Sequence, residues 1–302
     1  MYYNSLNSYL QKRFGTKIYK LSISSGLSCP NRDGTLSTMG CIFCSNGGSG
    51  DFATSPMLSV TEQIEQAKRR VSKKIKDGKY IAYFQSFTNT YGSIDYLRDI
   101  FTEAITHPDI VALSIGTRPD CLGDDVLLLL DELNHIKPVW VELGLQTIHE
   151  TTANAINRGY PLSTFDKAVT NLSRINIDLI VHLIIGLPSE TREDIINSVK
   201  YVTSMDIAGV KLQLLHILKN TPLEKEYLLN PFKVLSMEEY VDLIAECLTY
   251  IPKDIVIHRL TGDGPKSLLV EPKWSGNKKS VLNYMNKRFI ELDLQQGSAL
   301  NL

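Results

Sequence analysis

The sequence predicts an α/β fold: an open, partial (β/α)6 TIM-like barrel with a C-terminal extension. Three observations predict it. β-rich runs and helical patterns alternate along the chain, which implies βαβ units around a parallel sheet. Right-handed crossovers curl such a sheet toward a barrel. The alternation occurs six times, short of the eight units of a closed barrel.

The expected strands are Lys17–Ser24, Tyr80–Gln85, Val111–Gly116, Val139–Gln146, Leu179–Gly186 and Val210–Leu215. The expected helices are Thr61–Lys76, Ser93–Ala104, Asp124–His135, Ser163–Arg174, Thr191–Ser204 and Ser236–Tyr250. The two-residue period of a strand puts Glu142, Gly144 and Gln146 on one face and Val141, Leu143 and Leu145 on the other. The apolar face suits outer helices, so the polar face is expected inside the barrel. His182, Ile184 and Gly186 share a face of the fifth strand, and Lys211 and Gln213 one of the sixth. Polar groups on successive strands predict a lined cavity, with ligands at the carboxyl ends of the strands. Exposure at a strand end is the other reading of the same alternation. After Ile251 the rhythm changes. A turn signal at Arg259-Leu-Thr-Gly-Asp-Gly-Pro and an amphipathic stretch, Val281–Asp293, make residues 251–302 an extension that closes one side of a 1–250 barrel. The tail Gln295–Leu302 is expected to fray.

Hydrophobic residues make up 43% and charged residues 22%, values of a globular chain with a sizeable core. A formal net charge of −1 argues against a generally basic nucleic-acid coat protein and leaves room for local basic patches. No apolar run approaches the roughly 20 residues of a membrane span, and the polar, aromatic N-terminus lacks a signal-peptide core. The expected location is cytoplasmic, with no membrane partner. Five cysteines, an odd number, disfavour a disulfide framework there.

Cys29, Cys41 and Cys44 fall within sixteen residues, spaced C-x11-C-x2-C in a stretch rich in Gly, Asn and Ser. Thiolates are preferred ligands of iron–sulfur clusters and zinc. A structural zinc site normally takes four ligands, and the first histidine is His107. Three thiolates on a [4Fe–4S] cubane leave one iron open, where S-adenosylmethionine (SAM) can chelate through its amino and carboxylate groups. A zinc knob with Cys121 or Cys247 as a remote fourth ligand is the other reading of the spacing.

The opening Cys29-Pro-Asn-Arg-Asp-Gly, the aromatic Phe43 before the last cysteine, Tyr83-Phe-Gln-Ser-Phe-Thr-Asn-Thr-Tyr91, Thr117-Arg-Pro-Asp120 and the closing Arg259-Leu-Thr-Gly-Asp-Gly carry a resemblance. Together with the six βα units they resemble the radical-SAM superfamily, in its small Elp3-like branch, over nearly the whole chain. The cysteine spacing departs from the common C-x3-C-x2-C. About 50 residues follow the last barrel helix, too few for the acetyltransferase domain of Elp3 itself.

The resemblance implies a [4Fe–4S] cluster on Cys29, Cys41 and Cys44 and SAM as cofactors. It also implies who holds the SAM. Ser86, Phe87 and Thr88 form the second-strand loop that meets the methionyl amino group. Gln146 matches a glutamine near the ribose, and Arg158 an arginine near the methionyl carboxylate. His182 stands at a fifth-strand position often held by a ribose-binding acid, just before a segment that includes Gly186 and Leu187. Thr117 and Arg118 stand where a ribose-binding glutamate is common. Phe43 lies beside the cluster. The implied substrate is tRNA, with a wobble-uridine carboxymethylaminomethyl group converted to aminomethyl, and the implied reductant is a flavodoxin or ferredoxin. Two basic runs suit a polynucleotide: Lys68, Arg69, Arg70, Lys73, Lys74 and Lys76, and Lys266, Lys273, Lys278, Lys279, Lys287 and Arg288. Tyr91, Tyr160 and Trp274 are candidate stacking surfaces. A radical enzyme on a small metabolite or peptide, and a non-enzymatic iron–sulfur or zinc module that binds RNA, are the competing classes.

Overall fold

The computed structural model of the chain describes residues 2–48, 50–72, 78–262 and 264–301. Helix α1 (Leu6–Phe14) precedes β1 (Ile18–Ile23). Then come α2 (Val60–Val71), β2 (Lys79–Phe84), α3 (Ile94–Thr106), β3 (Ile110–Thr117), α4 (Asp124–Asn134) and β4 (Val139–Gln146). They are followed by α5 (Glu150–Ala155), α6 (Leu162–Arg174), β5 (Asp178–Ile185), α7 (Arg192–Thr203), β6 (Gly209–Leu214) and β7 (Ile217–Leu218). The chain continues through α8 (Pro222–Leu229), α9 (Met237–Thr249), β8 (Val256–Arg259), β9 (Leu269–Glu271) and α10 (Lys278–Glu291). Local signals set several of the starts. Ser59 with Glu62, Thr191 with Asp194 and Ser236 with Glu239 form capping boxes that satisfy the first free N–H groups of α2, α7 and α9.

Seven parallel strands in the order β1-β2-β3-β4-β5-β6-β8 curl into a half-barrel. The outward residues, among them Leu21, Phe84, Leu113, Val141, Leu143 and Val181, pack with α2, α3, α4, α6, α7 and α9 into the main core. The inward residues form layers. At the amino ends Ile18, Ile81, Ala112, Trp140 and Ile180 make an apolar floor, closed by Leu10 of α1. One pleat higher stand Lys20, Tyr83, Ser114, Glu142, His182 and Lys211. Above them Gln85, Gly116, Gly144, Gln146, Ile184 and Gln213 line the open end. The alternation read from β4, β5 and β6 therefore does face a cavity, not solvent.

Two expectations are corrected. The sheet has a seventh strand, β8, where six were expected. Its four residues lie beyond Ile251, in the segment read as an extension. That segment shares the main core through Ile255, Ile257, Val281, Met285 and Phe289. The tail does not fray as far as residue 298. The Gln296 side chain accepts from the Asn4 N–H at 2.7 Å and donates to the carbonyls of Pro252 and Ile255, and the Gln296 N–H reaches the Tyr2 carbonyl. Helix α2 is described over Val60–Val71, and the end of the expected helix, with Lys73, Lys74 and Lys76 of the first basic run, lies outside the described residues. Among the described residues no helix is long and apolar enough to cross a membrane.

Candidate active site

The loop between β1 and α2 carries the cysteines across the carboxyl ends of the strands. Backbone turns shape it: the Arg32 N–H bonds the Cys29 carbonyl at 2.8 Å, and the Cys44 N–H bonds the Cys41 carbonyl at 3.0 Å. Two sequence motifs clamp each other beneath it. Asn31 donates to the Asn157 carbonyl at 2.6 Å, and Asn157 donates to the Gly40 carbonyl at 2.7 Å. Arg32 holds the far end by donating to the carbonyls of Cys44 and Ser45, both at 2.8 Å. On the other side the loop lies against the end of β2. A side chain at Gly48 would stand 2.3 Å from the Phe87 ring, and one at Gly50 would stand 1.9 Å from Ser86 Oγ. Only glycine permits that approach.

Cys29, Cys41 and Cys44 share one cavity of about 240 Å³ with Phe43, Phe87, Thr88, Thr117, Arg118, Gln146, Arg158 and His182. Ser86, Gly186 and Leu187 stand outside its lining, and Leu187 packs with Ile42, Ile156 and Ile184 below the cysteine loop. Burial pushes the Cys41 thiol up to about 12, reinforced by Cys44 and Cys29 and opposed by Arg118 and the amide of Asn31. A Cys41 sulfur repelled by Cys44 and Cys29, beside one cation and one amide donor, suits a cationic metal centre, because metal binding relieves the repulsion between thiolates. Among the described residues no three His, Cys, Asp or Glu side chains are drawn together tightly enough for a single metal ion. The fit therefore rests on the donor set and its shared cavity. Cys247 is fully buried in α9 and cannot be a fourth ligand. Cys121 is half-buried outside the cavity lining, its thiol pushed up to about 12 by burial and Asp120.

Two cavity residues have strained backbone: Phe87 and Gln146 hold φ of 57° and 72°, a region non-glycine residues rarely occupy and one that recurs at active sites and ligand clamps. Arg158 is 1% exposed, and its guanidinium is spent on structure. It donates to the carbonyls of Tyr160, Leu145 and Thr147 and pairs with Glu150 at 3.3 Å, fixing the turn after β4. Arg118 is bidentate to Asp120 and donates to the Arg158 carbonyl. Thr117 bonds Thr90 at 2.5 Å. Tyr160 is no stacking platform: it is buried, its hydroxyl donates to the Gly144 carbonyl, and Arg158 and Arg118 cover its ring. Trp274 packs on Tyr240 and donates to the Leu235 carbonyl. Tyr91 is half-buried and bonds Thr35.

Below the cysteines lies the charged layer. Glu142 has no exposed side-chain surface and accepts four hydrogen bonds: from Lys20 at 2.5 Å, Ser114 at 2.7 Å, His182 Nε2 at 2.7 Å, and Lys211. Lys211 also reaches the Tyr83 hydroxyl at 3.2 Å. Burial, Lys211 and Lys20 hold His182 down at about 4 against the pull of Glu142, so the imidazole is neutral and donates through Nε2. Sequence reading placed Glu142, His182 and Lys211 inward and missed Lys20 and Tyr83. The period of two in Ile18–Ile23 and Lys79–Phe84 was the signal that would have found them.

Comparison with known proteins bears on this arrangement. A family model described as the radical SAM superfamily matches residues 34–202, and one described as the radical SAM C-terminal domain matches residues 207–291. The uncharacterized protein YtqA of Bacillus subtilis (strain 168) is 44% identical over 295 residues, covering 98% of this chain and 92% of that one. YhcC of Escherichia coli (strain K12) is 33% identical over 298 residues, covering 98% and 95%. The tRNA uridine(34) acetyltransferase of Methanocaldococcus jannaschii is 26% identical over 188 residues, 60% of this chain and 33% of that protein. Among solved structures, the archaeal Methanocaldococcus infernus Elp3 with an N-terminal deletion has a similar fold, with a TM-score of 0.68 at 19% identity, over 92% of this chain and 64% of that one.

Proposed function

Because this chain belongs to the radical SAM superfamily, we propose that it binds a [4Fe–4S] cluster through Cys29, Cys41 and Cys44 and uses SAM to modify the wobble uridine of tRNA. The modification is conversion of a carboxymethylaminomethyl side chain to aminomethyl. The observation that carries the reading is the placement of all three cysteines on one cavity, over the carboxyl ends of the strands and above a polar barrel interior. When bound, a reduced cluster supplies the electron that cleaves SAM to methionine and a 5′-deoxyadenosyl radical.

The chain's own residues hold and shield that chemistry. Phe43 and Phe87 give the cavity apolar walls that exclude water. Thr88 and Gln146 bring polar groups to strand ends facing the cysteines. Arg118 keeps positive charge beside the thiolates. Arg158 acts at one remove, by fixing the backbone around Gln146 through the Leu145 and Thr147 carbonyls.

Similarity to a tRNA uridine(34) acetyltransferase supports the substrate class. The test has two arms. Anaerobically reconstituted protein with a reductant is expected to turn SAM into 5′-deoxyadenosine. Nucleoside mass spectrometry of tRNA from cells lacking the gene is expected to show carboxymethylaminomethyluridine accumulating at the expense of its aminomethyl product. Unchanged tRNA nucleosides would end the tRNA reading, and no deoxyadenosine would end the SAM reading.

A further inference from the structure

The charged layer is more than barrel filling, because among the described residues the charges of its lysines and carboxylate do not balance. Lys20 and Lys211 share a single carboxylate, Glu142, and every lone pair of that carboxylate is taken. Arg259 stands opposite Lys211 across the β6–β8 register and lowers it. Burying two ammonium groups on one carboxylate is costly, and a packed apolar layer would avoid the cost. The neighbouring floor is such an apolar layer. The charged layer also borders open space: Tyr83, Glu142, His182, Lys211 and Arg259 all line the cavity that holds the cysteines.

The donor inventory is specific. An ammonium has three N–H donors. Lys211 gives one to Glu142 and one to Tyr83, which leaves one for a guest in the cavity. Glu142 accepts and cannot receive an anion, yet four donors hold it away from the role of competitor. The immediate surroundings of Lys211 are thus polarised to receive negative charge.

We infer that this layer is an anion subsite, with Lys211 as the direct partner of a carboxylate on the substrate. The carboxylate is that of the carboxymethylaminomethyl group, an identification that rests on the function proposed above. The anion subsite itself rests on the geometry. Burial takes Lys211 down to about 7, with Lys20 and Arg259 lowering it further and Glu142 opposing them; Tyr83, His182 and His258 complete its polar surroundings. A bound carboxylate favours the protonated amine, so affinity for it weakens as pH rises above about 7.

The test uses the cluster-loaded protein and three probes: 5-carboxymethylaminomethyluridine, 5-aminomethyluridine and N-methylglycine. Calorimetry is expected to show the carboxylate-bearing nucleoside binding about ten- to hundred-fold tighter than the one without it, as a charge-assisted hydrogen bond requires. Lys211→Met removes that advantage and Lys211→Arg keeps most of it. The Met variant is expected to fold, since Glu142 retains Lys20, Ser114 and His182, and far-UV circular dichroism checks this. N-methylglycine that binds wild type and not Lys211→Met, with neither nucleoside bound, keeps the subsite and ends the uridine identification. Equal binding of the two nucleosides by wild type, or an advantage unchanged in Lys211→Met, overturns the subsite while leaving the uridine reading intact.

Discussion

Replacing Glu142 by Gln keeps the shape of the side chain and removes the only carboxylate among the described partners of Lys20 and Lys211. The amide also turns two donors toward groups that themselves donate. Burial opposes an ionised Glu142, but Lys20, Lys211 and His182 overcome it and hold the carboxyl well below the usual range. Removing one partner of a buried charge set costs about 3–5 kcal/mol, because the remaining charges are left uncompensated. That is a large share of the roughly 5–15 kcal/mol that holds a domain folded. The assay is equilibrium urea unfolding of wild type and Glu142→Gln at pH 7 and pH 9.5. The pH dependence has a definite sign. Without Glu142 the lysines lose the group that raises them, so their folded-state values fall further below 10.5. Between those values and the unfolded one, the unfolded chain binds more protons, and stability rises with pH. The deficit of the variant should therefore shrink at pH 9.5. A loss under about 1 kcal/mol at pH 7 would refute the buried-charge argument. So would a deficit that does not change between the two pH values.

Four further outcomes are expected. Cys29→Ala, Cys41→Ala and Cys44→Ala should each lose the iron and sulfide taken up on anaerobic reconstitution, while Cys121→Ala and Cys247→Ala keep them; full cluster in Cys41→Ala would overturn the ligand set. Gln146→Ala should weaken SAM binding with iron content unchanged, measured by equilibrium dialysis. Arg158→Met should lower stability by about 3 kcal/mol, as expected for a buried charge taken from several acceptors. It should also weaken SAM binding, and Arg158→Lys should not rescue either effect, because one ammonium cannot span Tyr160, Leu145 and Thr147. Binding of tRNA should fall steeply with salt, and Lys278→Ala/Lys279→Ala should weaken it roughly few-fold to tens-fold; a salt-independent wild type would point to a small substrate.

Much of the site was legible because its signals are local. Three cysteines within sixteen residues need no knowledge of the fold, and a period of two sorts a strand's faces wherever the strand lies. What escaped needed contacts between distant segments. Strand β8 has four residues, two of them His258 and Arg259, so its apolar run, Ile255–Ile257, is too short to announce a strand by itself; its place in the sheet comes from β6 beside it. Helix α1 buries only Leu10, and its position under the barrel comes from the floor it covers. Arg158 reads as a cofactor ligand by resemblance. The three carbonyls that claim it converge only once the turn after β4 has formed.

His182 shows how a departure from a family pattern can be read physically. An acid, common at that position in the resembled family, would stand beside Lys211 across the β5–β6 register. It would supply the second carboxylate that the two lysines lack, and each lysine would have its own counter-charge before any ligand entered. Histidine does the opposite. Held at about 4 by burial and the lysines, it is uncharged at neutral pH and can only donate to Glu142. Its hydrogen bond occupies the last accepting position of that carboxylate and leaves the excess positive charge in place. The substitution that weakens the match to a ribose-binding acid is therefore the one that keeps a buried cation available to an incoming anion.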